Sequence, residues 1–165
     1  MADLICFESR RVGKIEVAES EVMIFEPLPG FPNRTRFVLM EHAEASEMAW
    51  LVSIEDPDLA FVVAAPWSFF PNYDAPIGRE HLAVLGVEKR EEVELLSIVT
   101  LSGKSIFLNL AAPILINVTT RKGIQVVGDD PRYTTRMAIP ALEPQAAAGT
   151  AARATAQTVS ATAAP

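Results

Sequence analysis

Two histidines and one cysteine are the side chains of this sequence with the greatest capacity for catalysis or metal binding. His42 lies in the acid-rich segment 41–47, His81 lies in a predicted short helix, and Cys6 lies in the first predicted strand. None has a second ligand at metal-binding spacing, and neither C-x-x-C nor H-E-x-x-H occurs. We expect His42 to be solvated and Cys6 to act as a small buried hydrophobe. The sequence therefore predicts no metal site.

Carboxylates are plentiful, but none stands in a pattern that indicates acid–base catalysis. Glu55, Asp56 and Asp58 surround Pro57 between two predicted strands, which is more typical of a solvated turn. No glycine-rich loop opens onto a helix to hold a phosphate. Because catalytic triads are defined by geometry rather than by spacing, a hydrolase stays an alternative. We predict that the protein is not an enzyme and needs no cofactor.

The charge is distributed unevenly along the chain. Residues 1–82 carry 14 acids and 6 bases, whereas residues 83–165 carry 7 acids and 8 bases. Ten acids and two bases lie between Glu16 and Asp58. Nucleic-acid binding needs a basic stripe, so direct RNA or DNA binding is not expected. The acids either keep the protein soluble or steer a basic protein partner toward it, and both interpretations stay open.

Three turns rich in proline and aromatic residues remain as candidate binding features. They span 27–32, 66–73 and 109–117, and each follows or joins predicted strands. Proline ends or protects strands, so any of these turns could simply cap the fold. Aromatic side chains are also enriched in protein interfaces. Together with the three acids around Pro57, they supply the predicted partner-binding residues: Glu55, Asp56, Asp58, Phe69, Phe70, Tyr73 and Asn117.

The periodicity of apolar residues predicts an all-β fold. About ten short strands alternate with turn residues, which is typical of a small antiparallel barrel or sandwich. These predicted strands are Leu4–Phe7, Gly13–Val17, Val22–Phe25, Arg36–Met40, Ala49–Ile54, Leu59–Ala65, Val93–Leu101, Ile106–Leu110, Ile114–Val118 and Gly123–Val127.

One short helix and a distinct C-terminal segment complete the predicted organisation. Residues 79–85 have helical spacing, and Gly86 follows as a left-handed C-terminal residue. Residues 1–140 form the predicted domain, and the alanine-rich residues 141–165 form a predicted disordered tail, with a transient helix as the alternative. A single cysteine, no export signal and no membrane-spanning run of about 20 apolar residues predict a cytoplasmic protein.

Five segments in order resemble the flagellar assembly factor FliW family. The resemblance covers about residues 4–139 and leaves the alanine-rich segment outside. The matching segments are Leu28–Phe31, Asp56–Val63 with Phe69–Tyr73, Leu82–Gly86, Asn109–Asn117, and Gly123–Val127 with Tyr133–Arg136.

The resemblance implies a compact β-barrel-like fold and two protein partners. One is flagellin, held in the cytoplasm before export, and the other is CsrA, a dimeric RNA-binding regulator that represses flagellin translation. Proteins similar to FliW bind CsrA away from its RNA surface and antagonise it allosterically. We expect the protein to be a monomer on its own and to touch neither nucleic acid nor membrane. A β-barrel that holds a small ligand is the alternative from another functional class.

Overall fold

The computed structural model describes residues 3–42 and 47–139, and this part of the chain contains eleven strands and one α-helix. The predicted tail, 141–165, lies outside the described residues. The elements are β1 (Leu4–Ser9), β2 (Gly13–Ala18), β3 (Met23–Phe25), β4 (Arg36–Glu41), β5 (Met48–Ser53), β6 (Ala60–Ala64), α1 (Arg79–Leu85), β7 (Val93–Ser102), β8 (Ser105–Leu108), β9 (Ile114–Asn117), β10 (Lys122–Gln125) and β11 (Met137–Ala138).

The predicted all-β class is confirmed, and each of the ten predicted strands is present with its ends within two residues of prediction. The eleventh strand, β11, is two residues long and has too little sequence to show a period. Three single turns of 3-10 helix, at 19–21, 66–68 and 90–92, join strands in addition to α1.

Seven strands close into a barrel in the order β7-β6-β5-β4-β3-β10-β9, and β9 returns to β7. The long strand β7 pairs with β9 through its first half, residues 93–96, and with β8 through its second half, residues 99–102. β11 pairs with β8. The arrangement is not wholly antiparallel, because β10 runs parallel to β3. A ring with an odd number of strands cannot alternate direction at every pair, so closure with seven requires one parallel pair.

The interior of the barrel is filled by alternate side chains of its strands. Phe37 and Leu51 are fully buried there, and Phe25 packs edge-on against Phe37 with ring centroids 5.4 Å apart. This period-2 pattern is what a strand with two distinct faces requires. The interior of the barrel is therefore a core packed with side chains.

A second apolar cluster covers the outside of the barrel. Trp50 and Val52 of β5 face outward and are buried at 5% and 0% exposure. The β1–β2 hairpin places Ile15 and Val17 on this outer surface, and the segment around α1 adds Leu85. All six residues of β5 are consequently buried, which explains why its first five residues, 48–52, form a continuous apolar run.

Helix α1 begins and ends as the sequence predicts. Gly78 donates its N–H to Nδ1 of His81 at 2.9 Å, which closes the first turn through a side chain. Gly86 adopts a left-handed conformation with φ of 75° and donates its N–H to the last turn of the helix. With seven residues, α1 depends on burial of Leu85 for its stability.

Gly123 in β10 is expected to be intolerant of a side chain. A Cβ added there would lie 2.6 Å from the ring of Phe25, which is buried on the neighbouring strand. Replacing Gly123 with alanine should lower the free energy of unfolding by about 1–3 kcal/mol through overpacking. Urea unfolding measures this cost. In a Phe25→Leu background the same replacement should cost less, and an equal cost in both backgrounds would contradict the steric cause.

Candidate partner-binding surface

The acidic loop between β5 and β6 is held by bonds within the chain. Oε1 of Glu55 accepts a hydrogen bond from the N–H of Thr35 at 2.9 Å, and Oδ2 of Asp56 accepts one from Nε–H of Arg34 at 3.1 Å. Ser53 Oγ accepts the N–H groups of both acids, at 3.1 and 3.0 Å. These bonds fix the loop against the segment that precedes β4.

The same loop also anchors the β1–β2 hairpin. The guanidinium of Arg10 forms an ion pair with Asp58, and the backbone N–H of Arg10 donates to the carbonyl of Pro57 at 2.8 Å. The pKa of Asp56 lies below its ordinary value because the N–H of Asp58 and the guanidinium of Arg34 stabilise the carboxylate. Charge reversal at the three acids would therefore disturb the loop as well as the surface charge.

The two phenylalanines of the predicted aromatic turn are half-buried. Phe69 and Phe70 pack against the outer apolar cluster, while neighbouring Trp67 is 43% exposed. Trp67 donates Nε1–H to the carbonyl of Tyr73 at 2.8 Å, which folds the turn back on itself. Part of this turn faces solvent, and its most exposed aromatic ring is Trp67 rather than either predicted phenylalanine.

Tyr73 is buried at 5% exposure and is engaged by the fold. Its hydroxyl donates to the carbonyl of Leu110 at 2.6 Å, and its ring meets Tyr133 edge-on at 4.8 Å. Burial raises the pKa of Tyr73 above its ordinary range, so the hydroxyl stays protonated, and able to donate, to higher pH than that of an exposed tyrosine. The side chain joins the 66–73 turn to the 109–117 segment.

Asn117 is likewise buried, with 3% exposure. Its Nδ2 donates to the carbonyl of Leu85 at the end of α1, at 2.8 Å. Its Oδ1 accepts the N–H groups of Thr119 and Thr120 at 2.8 and 3.1 Å, which forms the turn between β9 and β10. Tyr73 and Asn117 thus have structural roles, and a contact with a partner at either position stays a prediction.

The expectations for His42 and Cys6 are both wrong. His42 is 5% exposed, and its ring stacks on Trp50 with centroids 6.1 Å apart. The acids around it in sequence gave no sign of the apolar surface that β5 provides. Cys6 is exposed because β1 belongs to a two-stranded hairpin whose outer face carries Cys6, and its thiol lies 3.5 Å from Oε2 of Glu16.

Lowering the pH from about 7.5 to about 5.5 is expected to reduce the free energy of unfolding by about 1 kcal/mol through His42. Burial lowers the pKa of His42 from 6.5 to about 2, so between these values the unfolded chain binds a proton and the folded chain does not. The contribution of neutral His42 to the free energy of unfolding is fully present above pH 6.5, the pKa of the histidine in the unfolded chain, and is lost as the pH falls below it. Urea unfolding of wild type and His42→Phe checks this, and equal pH dependence in both would contradict it.

Within residues 3–42 and 47–139, no group of three or more His, Cys, Asp or Glu side chains is arranged to hold a metal ion. Nor does any helix there have the length and apolar character needed to cross a membrane. The geometry places the acidic loop and the aromatic turn at the surface, and it gives each a set of internal bonds.

A family profile described as FliW protein matches residues 6–139. The chain belongs to the FliW family. The matched region runs from β1 to the residue after β11, so it includes the whole barrel and its outer covering.

Individual FliW proteins share about a third of their residues with this chain. It is 37% identical over 131 residues to flagellar assembly factor FliW of Caldicellulosiruptor saccharolyticus. The aligned region covers 78% of this chain and 86% of the relative. It is 33% identical over 135 residues to FliW 2 of Desulfotalea psychrophila, covering 81% and 89%. A crystal structure of a flagellar assembly factor FliW superposes with a TM-score of 0.76 at 31% identity, covering 82% of this chain and 96% of the other.

This FliW chain exposes several large apolar side chains that the sequence analysis did not select. Among the residues that the structure describes, the most exposed of these is Val127 at 72%, beyond the end of β10, followed by Leu4 at 59% and Val118 at 54%. Val127 lies inside one of the segments that resemble the family, next to Gly128. An aliphatic residue beside a glycine at a strand end carried no sign of exposure, because the same pattern occurs in buried strands.

Proposed function

We propose that this FliW protein couples flagellin synthesis to flagellin export by exchanging two partners in the cytoplasm. Bound to flagellin, it leaves the regulator CsrA free to repress flagellin mRNA. When export removes flagellin, it binds CsrA and antagonises repression, so translation resumes. It acts as a monomeric binding protein and performs no catalysis.

Membership of the FliW family is the observation that carries this proposal, since relatives over the whole barrel are flagellar assembly factors by name. Composition supports it, because a net charge of −7 suits a basic protein partner better than RNA. Antagonism must then act through CsrA itself, as a coupling between the surface that binds this protein and the surface that binds RNA.

The alternative function, a small-ligand barrel, receives little support from the interior. Large side chains that include Phe37, Leu51 and Ile114 fill it, each with 0% exposure. Ligand-binding barrels instead enclose an apolar cavity with a few convergent polar groups. A binding function is therefore better placed on the outer surface of the domain.

The proposed partner exchange is tested by titrating purified CsrA into this protein with and without flagellin from the same genome. Both partners should bind singly, and saturating flagellin should weaken CsrA binding. If neither binds, the proposed function is wrong. A ternary complex in which CsrA affinity is undiminished would reject the exchange while leaving both interactions intact.

A further inference from the structure

The β1–β2 hairpin is joined to the barrel by few polar bonds. It forms a two-stranded sheet of its own, and within the described residues neither strand pairs with a strand of the barrel. Arg10 at its tip donates its backbone N–H to the carbonyl of Pro57 at 2.8 Å and forms an ion pair with Asp58. Across residues 3–42 and 47–139, these are the only polar bonds between the hairpin and the barrel strands or the loops that connect them.

The apolar attachment of the hairpin is uneven between its two strands. In β2, Ile15 and Val17 are buried against the outer apolar cluster. In β1, the corresponding residues Ile5 and Phe7 are only partly buried, and the residues that alternate with them are exposed. Every residue of the barrel strand β5 is buried by comparison. Less buried apolar surface therefore holds the hairpin than holds a strand of the barrel, which is typical of a segment with low local stability.

The tip of the hairpin lies beside open space. A groove of about 310 Å³ is lined by Arg11 of the tip and, on the barrel, by Trp50, Val62, Val99 and Leu101 among others. These four barrel side chains belong to the outer apolar cluster or pack against it. Because side chains do not fill this space, packing holds the tip weakly and the bonds of Arg10 supply its attachment.

Bonds within the hairpin make it one unit. Oγ of Ser9 accepts the N–H groups of Arg11 and Val12 at 3.1 and 3.4 Å, which closes the turn, and a continuous antiparallel register joins the two strands. At the base, the N–H of Glu19 donates to the carbonyl of Asp3 at 2.8 Å. A segment with many internal bonds and few external ones tends to open cooperatively, separately from the rest of the domain.

We propose that the β1–β2 hairpin is a strap that opens as one unit while the barrel stays folded, and that the contact of Arg10 with Asp58 is the latch that controls its opening. Opening uncovers part of the outer apolar surface, including the side of Trp50 that lies beside the tip. Because a two-stranded hairpin alone is marginally stable in water, the released strap loses its ladder of hydrogen bonds. The two latch side chains are mostly exposed, so salt weakens their attraction and favours the open state.

Hydrogen exchange of the wild-type protein tests the separate opening. The hydrogen-bonded amides of β1 and β2 should exchange at least about 10-fold faster than those of β5, because the strap opens without global unfolding. Their exchange should also depend less on urea, since opening the strap exposes less surface than unfolding the domain. Equal exchange rates and equal urea dependence in the hairpin and β5 would show that they open only together and would overturn the proposal.

Removing the latch should speed exchange in the hairpin alone. Arg10→Ala keeps the backbone bond to Pro57 but loses the exposed ion pair, so hairpin exchange should rise about 1.5- to 5-fold while β5 stays unchanged. Arg132→Ala, which removes an exposed ion pair with Asp130 elsewhere on the surface, is the matched control and should leave hairpin exchange unchanged. No increase in Arg10→Ala, or an equal increase in Arg132→Ala, would overturn the latch.

Thiol labelling measures opening by an independent route. In a Cys6→Ser background the chain has no other cysteine, so Val17→Cys places a single thiol on the buried face of the strap. Val63→Cys places one in the fully buried interior of the barrel. The strap thiol should react at least about 10-fold faster with a thiol reagent. High salt should speed that reaction, and adding Arg10→Ala should remove most of the salt effect. Equal labelling at the two sites would refute the strap, and a salt effect that persists without Arg10 would refute the latch.

Discussion

Replacing Asn117 with alanine is expected to lower the free energy of unfolding by about 2–4 kcal/mol without changing the affinity for CsrA. The side chain is 3% exposed and makes three hydrogen bonds, one to the end of α1 and two within the β9–β10 turn. Alanine leaves the buried carbonyl of Leu85 without its donor, which costs about 1–3 kcal/mol, and it removes two bonds of the partly buried turn, each worth about 0.5–1.5 kcal/mol. Urea unfolding should show a lower midpoint with an unchanged slope.

Asn109 provides a matched control for this prediction. It too ends a strand segment, but it is only partly buried and its Oδ1 accepts a single N–H, from Ala112. Asn109→Ala should therefore cost about 1 kcal/mol. An Asn117→Ala cost no larger than this would contradict the structural role. A loss of CsrA affinity in folded Asn117→Ala would restore the residue as a partner contact.

Most of the fold could be predicted because its determinants are local. Alternation of apolar residues indicated the strands, and Gly86 marked the end of α1. The closure of the barrel could not be predicted, since the parallel pairing of β10 with β3 joins residues almost 100 positions apart. The buried state of His42 was missed for a different reason: Trp50 is close in sequence, but only the antiparallel pairing of β4 with β5 stacks its ring on His42.

The candidate site was less predictable than the fold. Motifs shared with a family combine residues that fold the chain with residues that bind, and one sequence cannot separate the two. The bonds of Asp56 to Arg34 and of Tyr73 to Leu110 became visible only in three dimensions. Val127 illustrates the opposite case, a residue in a matching segment whose 72% exposure has no structural use within the described chain.

CsrA is expected to bind this protein about 5- to 150-fold more weakly when it is saturated with its target RNA. The protein has a net charge of −7 and ten acids against two bases between Glu16 and Asp58, so competition for RNA itself is not expected. Relief of repression then requires a coupling free energy of about 1–3 kcal/mol between two surfaces of CsrA. Because such coupling is reciprocal, RNA must weaken binding of this protein by the same factor by which this protein weakens binding of RNA.

Titration of this protein into CsrA, alone and with saturating target RNA, measures the factor directly. An RNA of equal length and charge that lacks the CsrA-binding sequence is the control, and it should leave the affinity unchanged because it does not occupy the specific site. Equal affinities with and without target RNA would remove the allosteric mechanism. Binding of the RNA by this protein alone would contradict the charge argument. An acidic surface that lacks a basic stripe cannot displace the counterions that surround RNA phosphates.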